Sequence, residues 1–577
     1  MEKADGLRLK TIDNAAVRWL LQAVRGKRRY VAALTAVQVA LGLAGVVYSL
    51  LFRELVDSAV ERDGSGFAVA FGIVAAVTLL RLALTALNKW LDEFTRSGVE
   101  NTLKSRLFAT LLHKDYATVT AVHSGEWMNR LTSDTVVVAN GVAQIIPNVV
   151  GMTVKIVGAL TAVVILQPLL GLLILPAGLL LLLITRLFRP ALKRLHTRIQ
   201  ESDGALRVFL QERLDNLLIV TTFSREEQSG ELAQERMDVH RRARLRRNRI
   251  LNICNFGFGV AIHGMYLLGA GICGMGIIEG TVSFGTLTAV LQLIGQLQNP
   301  FAGFSGYLSQ WYSMTASAER LMEAEQFADD RQKLPLTDEE SRELYQGPFR
   351  GLRTEKLCFS YGEPEEEGSV TIRDLDMELR KGEFVSLVGP SGCGKSTLLK
   401  LLLCLYAPDS GKIEILEEGE MATPLTAAHR GLFAYVPQGN QLMSGTIRRV
   451  VAFDDEEKMR QEQNLWEALR VACADEFVEK LPQGLDTPLG EHGSGLSEGQ
   501  IQRLAVARAI CSRRPILFLD EATSALDEET EARLLDNLRT MTDRTVLIIT
   551  HRPRACAVCD RVVEMKKYAD GKEEANG

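Results

Sequence analysis

The sequence predicts a chain of two fold classes: an α-helical part with six membrane spans, then an α/β domain built on a phosphate-binding loop. Three observations predict it. Long apolar segments crowd the stretch before about residue 315. From about Leu352 onward, short β-branched or apolar runs alternate with helical patterns. Inside that second stretch, the run from Gly389 to Thr397 sets a glycine-rich turn between an apolar run and a helical one. A chain of 577 residues also exceeds what one core supports. The expected boundaries are 1–330 for the membrane part, 331–350 for a linker and 351–577 for the nucleotide domain.

The first residues are polar, and no cleavable signal peptide is expected. Thr11 to Lys27 reads as an amphipathic helix, with Ile12, Ala16, Trp19, Leu20 and Ala23 at helical spacing. Such a helix either lies on the cytosolic membrane surface or packs on protein. The six spans are expected at Tyr30–Phe52, Phe67–Leu91, Val136–Leu166, Leu169–Phe188, Ile250–Ile278 and Phe284–Trp311. Each is close to the ~20 residues that cross hydrocarbon. Arg25, Lys27, Arg28 and Arg29 precede the first span, which places the amino terminus in the cytosol.

The outer connections, Glu54 to Gly66, Pro168 and Glu279 to Ser283, are short. The inner ones, Asp92 to Thr135 and Arg189 to Arg249, are long, charged and periodic, so they read as helices continuing beyond the membrane. The arginine-rich run His240 to Arg249 directly before a span fits anchoring at anionic headgroups. A net charge of −5 and a pI near 6.0 give no support for a nucleic-acid partner. Nine scattered cysteines indicate neither a disulfide framework nor a zinc site.

In the second part, strands are expected at Glu383–Val388, Leu432–Val436, Ile516–Leu519 and Thr545–Ile549, in a largely parallel sheet. The glycines Gly389, Gly392 and Gly394, with Ser391 and Cys393, let the backbone curl so that its N–H groups face phosphate oxygens. The helix beginning near Lys395 adds its positive end. Lys395 reaches the β- and γ-phosphates, Ser396 ligates Mg²⁺, and Thr397 follows. At the end of the strand from Ile516, Asp520 is placed to hold the metal's water shell and Glu521 to activate an attacking water. Between these motifs, Leu496-Ser-Glu-Gly-Gln500 opens another helix, a second anion-binding turn for which one phosphate loop has no evident need. We read it as closing on the nucleotide of a partner subunit.

Taken in order, these motifs closely resemble the ABC ATPase family, and with six preceding spans they resemble its exporter branch with fused membrane and nucleotide domains. Leu496–Gln500 resembles the family signature, with Glu498 in place of its first glycine. The resemblance implies phosphate contacts by Ser497 and Gly499, with Gln500 beside them. It implies a Mg²⁺-sensing, coupling role for Gln438, a D-loop at Ser524–Asp527, and a γ-phosphate contact from the switch histidine His551. Tyr361 stands where the family stacks an aromatic ring on adenine. Thr487–Gly493, Ser124–Asp134 and Glu212–Phe223 resemble segments of the coupling regions. The Arg-Pro-Arg run after His551 and the short end beyond Met565 depart from the family pattern.

The resemblance further implies ATP and Mg²⁺ as cofactors and a dimer, with itself or with a related half-transporter. It implies a cytosolic ATPase domain in a bacterial inner membrane, and a drug, lipid or peptide as cargo. The same fold also serves importers and ATP-gated channels. Arg81 and Lys155, costly within hydrocarbon, are expected to face a cavity or a partner. His263, Gln292, Gln296 and Gln298 are expected either to line a cavity or to join helices by hydrogen bonds.

Overall fold

The computed structural model describes residues 15–330, 336–361, 370–419, 421–439, 442–490, 493 and 495–566, with side chains 175–193, 196, 298–305, 308 and 370 excepted. The chain divides into two compact units. One comprises Met1–Thr110 with Gly125–Gln326; the other comprises Leu111–Ser124 with Phe327–Gly577.

The first unit is helical. Its long helices are Arg28–Val60, Gly64–Leu112, Thr135–Leu166, Pro168–Asp215, Glu226–Ile278 and Phe284–Gln326, so every expected span falls on a long helix. Among the described residues, four helices are long and apolar enough to cross a membrane, and Phe284–Leu297 is a shorter apolar stretch. The charged inner connections are indeed continuations of these helices. The helix Glu226–Ile278, with 53 residues, is ~80 Å long. Helix pairs approach closely where side chains are small. A Cβ on Gly151 would lie 2.9 Å from the Cβ of Gln38. Gln296 joins two helices by donating to the Gly45 carbonyl at 2.9 Å and to Ser49 Oγ at 2.8 Å. Gln298 lies outside the residues whose side chains are described, and His263 is exposed.

Of the amphipathic segment Thr11–Lys27, residues 15–23 are helical and residues 11–14 lie outside the described residues. Ala16, Leu20 and Val24 are buried, and Trp19 Nε1 donates to Glu325 at 2.8 Å. The apolar stripe therefore packs on protein, one of the two forms expected for it.

The second unit contains two main sheets. Strands β1 (Phe349–Ser360), β2 (Val370–Arg380), β4 (Ser410–Glu417) and β5 (Ala422–Pro424) form an antiparallel sheet in the order β2-β1-β4-β5. Strands β3 (Phe384–Val388), β6 (Phe433–Val436), β9 (Ile516–Asp520), β10 (Thr545–Ile549) and β11 (Arg561–Glu564) form a parallel sheet in the order β11-β3-β10-β9-β6. The short strands β7 (Gly445–Thr446) and β8 (Pro488–Leu489) pair separately. All four expected strands lie in the parallel sheet. Ile516 to Asp520 is buried throughout, which explains why the four residues before Asp520 read as an unbroken apolar run. The stretch read as a linker contains a helix, Asp338–Gln346, started by a reciprocal cap between Thr337 and Glu340. Its Tyr345 is buried and its hydroxyl hydrogen-bonds Thr545 Oγ1 at 2.8 Å. The short helix Tyr116–Ala121 belongs to this unit despite its place in sequence. Asp115 N donates to Ala328 O at 2.9 Å and Asp330 N to His113 O at 3.0 Å.

Candidate active site

The ends of the parallel strands position the site. Leaving β3, the chain turns through Gly389, Gly392 and Gly394, all at positive φ, before the helix Lys395–Leu402 begins. Glycine is required at two of these positions. A Cβ at Gly389 would stand 2.4 Å from the carbonyl of Met565, and one at Gly394 would stand 2.9 Å from that of Thr371. Ser391 is exposed at the loop tip and Cys393 is buried beneath it. Lys395 is almost fully buried and donates to the loop's own carbonyls, Gly389 O at 2.7 Å and Pro390 O at 2.9 Å. Among the described residues no acidic side chain forms a salt bridge with it, so an anion in the loop would meet an unneutralised cation.

β9 lies two strands from β3, across β10, and brings its terminal acids alongside the loop. Ser396 Oγ donates to Asp520 Oδ1 at 3.2 Å and Tyr435 OH donates to Asp520 Oδ2 at 3.4 Å. Burial holds the Asp520 carboxyl above the ordinary aspartate range, the Glu521 charge adds to this, and the Ser396 and Tyr435 hydrogen bonds oppose it. Glu521 follows at φ 51°, a left-handed conformation costly for a side chain with a Cβ. One of its oxygens accepts from Gln438 Nε2 at 2.8 Å, and the other lies 3.9 Å from His551 Nε2. The structure thus brings Lys395, Ser396, Gln438, Asp520, Glu521 and His551 together. Ser396, Asp520 and Gln438 offer hard oxygen donors, a set suited to Mg²⁺.

Tyr361 lies at this edge, its hydroxyl 3.3 Å from Thr397 Oγ1. Its ring meets Phe359 at 5.0 Å and Tyr406 at 5.5 Å, both edge-on, which leaves a ring face available for stacking. Tyr406 in turn meets Tyr116 at 5.9 Å. Neither Tyr406 nor Tyr435 stood out in the sequence, because aromatic residues in apolar runs ordinarily signal only core.

The signature turn is organised as a helix start. Ser497 caps the helix Glu498–Cys511, and the Gln500 side chain returns to the Ser497 N–H at 2.9 Å. Ser497 is exposed. Gly499 presses on the D-loop, where an added Cβ would stand 2.9 Å from Ala525 O. Asp527 has a local task as the cap of the helix Glu528–Arg539, accepting from Thr530 N at 2.9 Å. The D-loop is clamped from both sides. Buried Gln502 of the signature helix donates to Ser524 Oγ at 2.8 Å and accepts from Ala525 N at 3.0 Å. Arg552, next to His551, donates to Ser524 O, Leu526 O and the buried Glu531 at 2.7, 2.8 and 3.0 Å. The Arg-Pro-Arg departure therefore leaves Arg552 as a clamp, while Pro553 starts the helix Pro553–Val558. Of the segment Thr487–Gly493, residues 491 and 492 lie outside the described residues.

A helical unit with membrane-length helices, joined to a phosphate-loop domain with paired acids at a strand end, defines an ATPase coupled to transport. The family model of the ABC transporter transmembrane region matches residues 31–301, and that of the ABC transporter matches residues 372–524. The chain belongs to the ABC transporter family and is an ATP-hydrolysing half-transporter of the exporter kind. It is 27% identical to a multidrug resistance ABC transporter ATP-binding and permease protein of Lactococcus lactis subsp. lactis (strain IL1403), over 98% of this chain and 94% of that protein. It is 31% identical to the ABC multidrug transporter mdr2 of Aspergillus fumigatus, over 87% of this chain and 62% of that protein. In fold it matches a bacterial Atm1-family ABC exporter solved with ATP bound, with a TM-score of 0.74, 23% identity and 94% of each chain covered.

Proposed function

We propose that two copies of this chain export an amphipathic or hydrophobic compound from a bacterial cell, with the ATPase units in the cytosol. The observation that carries the catalytic half is the Glu521 carboxylate held between Gln438 and His551, beside the Ser396–Asp520 pair. In this reading the loop N–H groups and Lys395 hold the nucleotide's phosphates, and Tyr361 stacks on its base. Ser396, Asp520 and Gln438 would hold Mg²⁺, which when bound would supply positive charge against the phosphoryl group. Glu521 takes a proton from the attacking water, Gln438 fixes that carboxylate, and His551 reaches toward the γ-phosphate. Ser497 and Gly499 serve the nucleotide of the other copy, with Asp527 and Gln500 shaping that contact.

Pairing is supported at the turn between the helices Pro168–Asp215 and Glu226–Ile278. Leu217, Leu218, Ile219 and Phe223 are all exposed there, with Leu218 at 81%. An apolar cluster of this kind at a helical tip marks a protein contact. A homodimer is the simplest assembly, since one chain carries every catalytic part. The multidrug transporters among its relatives support a greasy cargo, drug or lipid or peptide, that reaches the site through the bilayer. In inverted membrane vesicles, cargo found by ATPase stimulation accumulates only with ATP and only in chains with intact Glu521. Loss of preloaded cargo would identify an importer, and equilibration without ATP consumption an ATP-gated channel.

Arg552 acts as a positioning residue in this scheme, tying the switch histidine to the D-loop. Arg552→Gln leaves Glu531 buried with one charged partner fewer, at a cost of about 1.5–3 kcal/mol. The expected outcome is kcat lowered roughly tenfold with the KM for ATP little changed, partly restored in Arg552→Lys. An unchanged kcat in Arg552→Gln removes the role.

A further inference from the structure

Arg81 and Lys155 lie far from either end of the apolar helices that carry them. Lys155 is ~17 Å of helical rise from Leu166, and Arg81 ~21 Å from Phe67, near half the depth of a bilayer core. A lysine stem does not span that distance to an interface. The two belong to different helices, Thr135–Leu166 and Gly64–Leu112, and both flank a third, Arg28–Val60. The Arg81 guanidinium lies over the Tyr48 ring at 5.0 Å. Lys155 rises beside Gly42, where an added Cβ would come within 3.4 Å of its own. The charges are near enough to repel, and no acidic side chain among the described residues acts on Lys155. A structural ion pair therefore does not account for them.

A partly polar cavity lies on the same three helices as this pair. Two helical turns from Arg81, and two from Lys155, the same three helices enclose a cavity of about 140 Å³. Gln38, Asn88 and Asn148 line it, with Lys89 and Asp92 at the same level. Gln38 Nε2 donates to Asn148 Oδ1 at 2.9 Å. The Oδ1 of Asn88 is buried without a hydrogen-bond partner, an acceptor open to a headgroup hydroxyl. Lys89 and Asp92 both line this cavity and offset one another's charge, whereas Arg81 and Lys155 carry charge of one sign, so an anionic group is favoured at the cation pair.

We propose that Arg81 and Lys155 form a binding site for the oxyanion headgroup, phosphate or carboxylate, of an amphiphile. The inference rests on the exporter reading and narrows its cargo. Uncompensated cations at this depth are costly, and a ligand oxyanion supplies the missing counter-charge through charge-assisted hydrogen bonds. Apolar helix surface on either side takes the chain.

The test uses the full chain in nanodiscs of phosphatidylcholine, with labelled dodecyl phosphate as probe and dodecyltrimethylammonium as its matched cation. The parent binds the phosphate more tightly than the cation. Arg81→Gln and Lys155→Gln each weaken phosphate binding about tenfold, and the double variant loses the preference. Arg81→Lys and Lys155→Arg keep it, which separates lost charge from damaged packing. Equal phosphate binding by parent and double variant overturns the proposal, as does equal binding of both probes by the parent. Phosphatidylglycerol in the disc distinguishes the source of the headgroup. Competition assigns the site to bilayer lipid and its absence assigns it to free amphiphile, and both results uphold an oxyanion site. If the parent hydrolyses ATP and moves cargo yet its probe binding ignores both charges, this proposal alone fails. If it does neither, the exporter reading fails.

Discussion

Glu521→Gln lowers steady-state ATP turnover by about two orders of magnitude or more, while ATP still binds. The reason lies in geometry as much as in acidity. Glutamine keeps the length and planarity of the side chain and can still meet Gln438, so the loop and its φ of 51° need not change. What it loses is the ability to accept a proton from water. Backbone strain at this position holds the carboxylate off the end of β9, between Gln438 and His551, where a polarised water would sit. Single-turnover kinetics with nucleotide binding measured separately provides the check. Turnover near the parent's value would remove Glu521 as the base. A parallel loss of binding would point to a broken site in place of a slowed reaction.

Mixing two inactive chains restores activity. Lys395→Ala disables the phosphate loop and Ser497→Arg fills the exposed signature turn with a large cation, so each alone loses about a hundredfold. When each site takes its loop from one copy and its signature from the other, a mixed dimer regains one site with both parts intact. Statistical pairing of equal amounts recovers roughly a quarter of parental activity. Sites assembled within one chain would recover nothing. Measurement after the two variants are co-reconstituted, with each alone as control, decides between these arrangements.

Much of the nucleotide domain was legible because its parts carry chemistry with fixed spacing. The phosphate loop demands glycine at Gly389 and Gly394 for steric reasons, and β9 is apolar from Ile516 to Leu519 because it is buried along its length. The antiparallel sheet was not legible. β1 carries Arg353, Glu355 and Lys356 on its open face and bulges near Leu357, so its alternation is interrupted. The helix Asp338–Gln346 looked like a linker because charged residues dominate it, although Ser341 and Tyr345 give it a buried side. The clamp by Gln502 and Arg552 is invisible in sequence for a different reason. Its partners are mostly backbone atoms and hydroxyls of the D-loop, and such contacts leave no trace in residue type.

The segment Leu111–Ser124 has a practical consequence for anyone dissecting this molecule. Lys114 pairs with Asp329, and Tyr116 covers an edge of Tyr406, whose other neighbours are Phe359 and Tyr361. A fragment expressed from residue 327 onward would hold every hydrolytic residue and still be incomplete. It would present an uncovered aromatic ring to water and leave Asp329 without its lysine. The smallest piece with its own contacts intact is discontinuous along the polypeptide, so supplying the missing peptide in trans is the natural way to make the second unit whole.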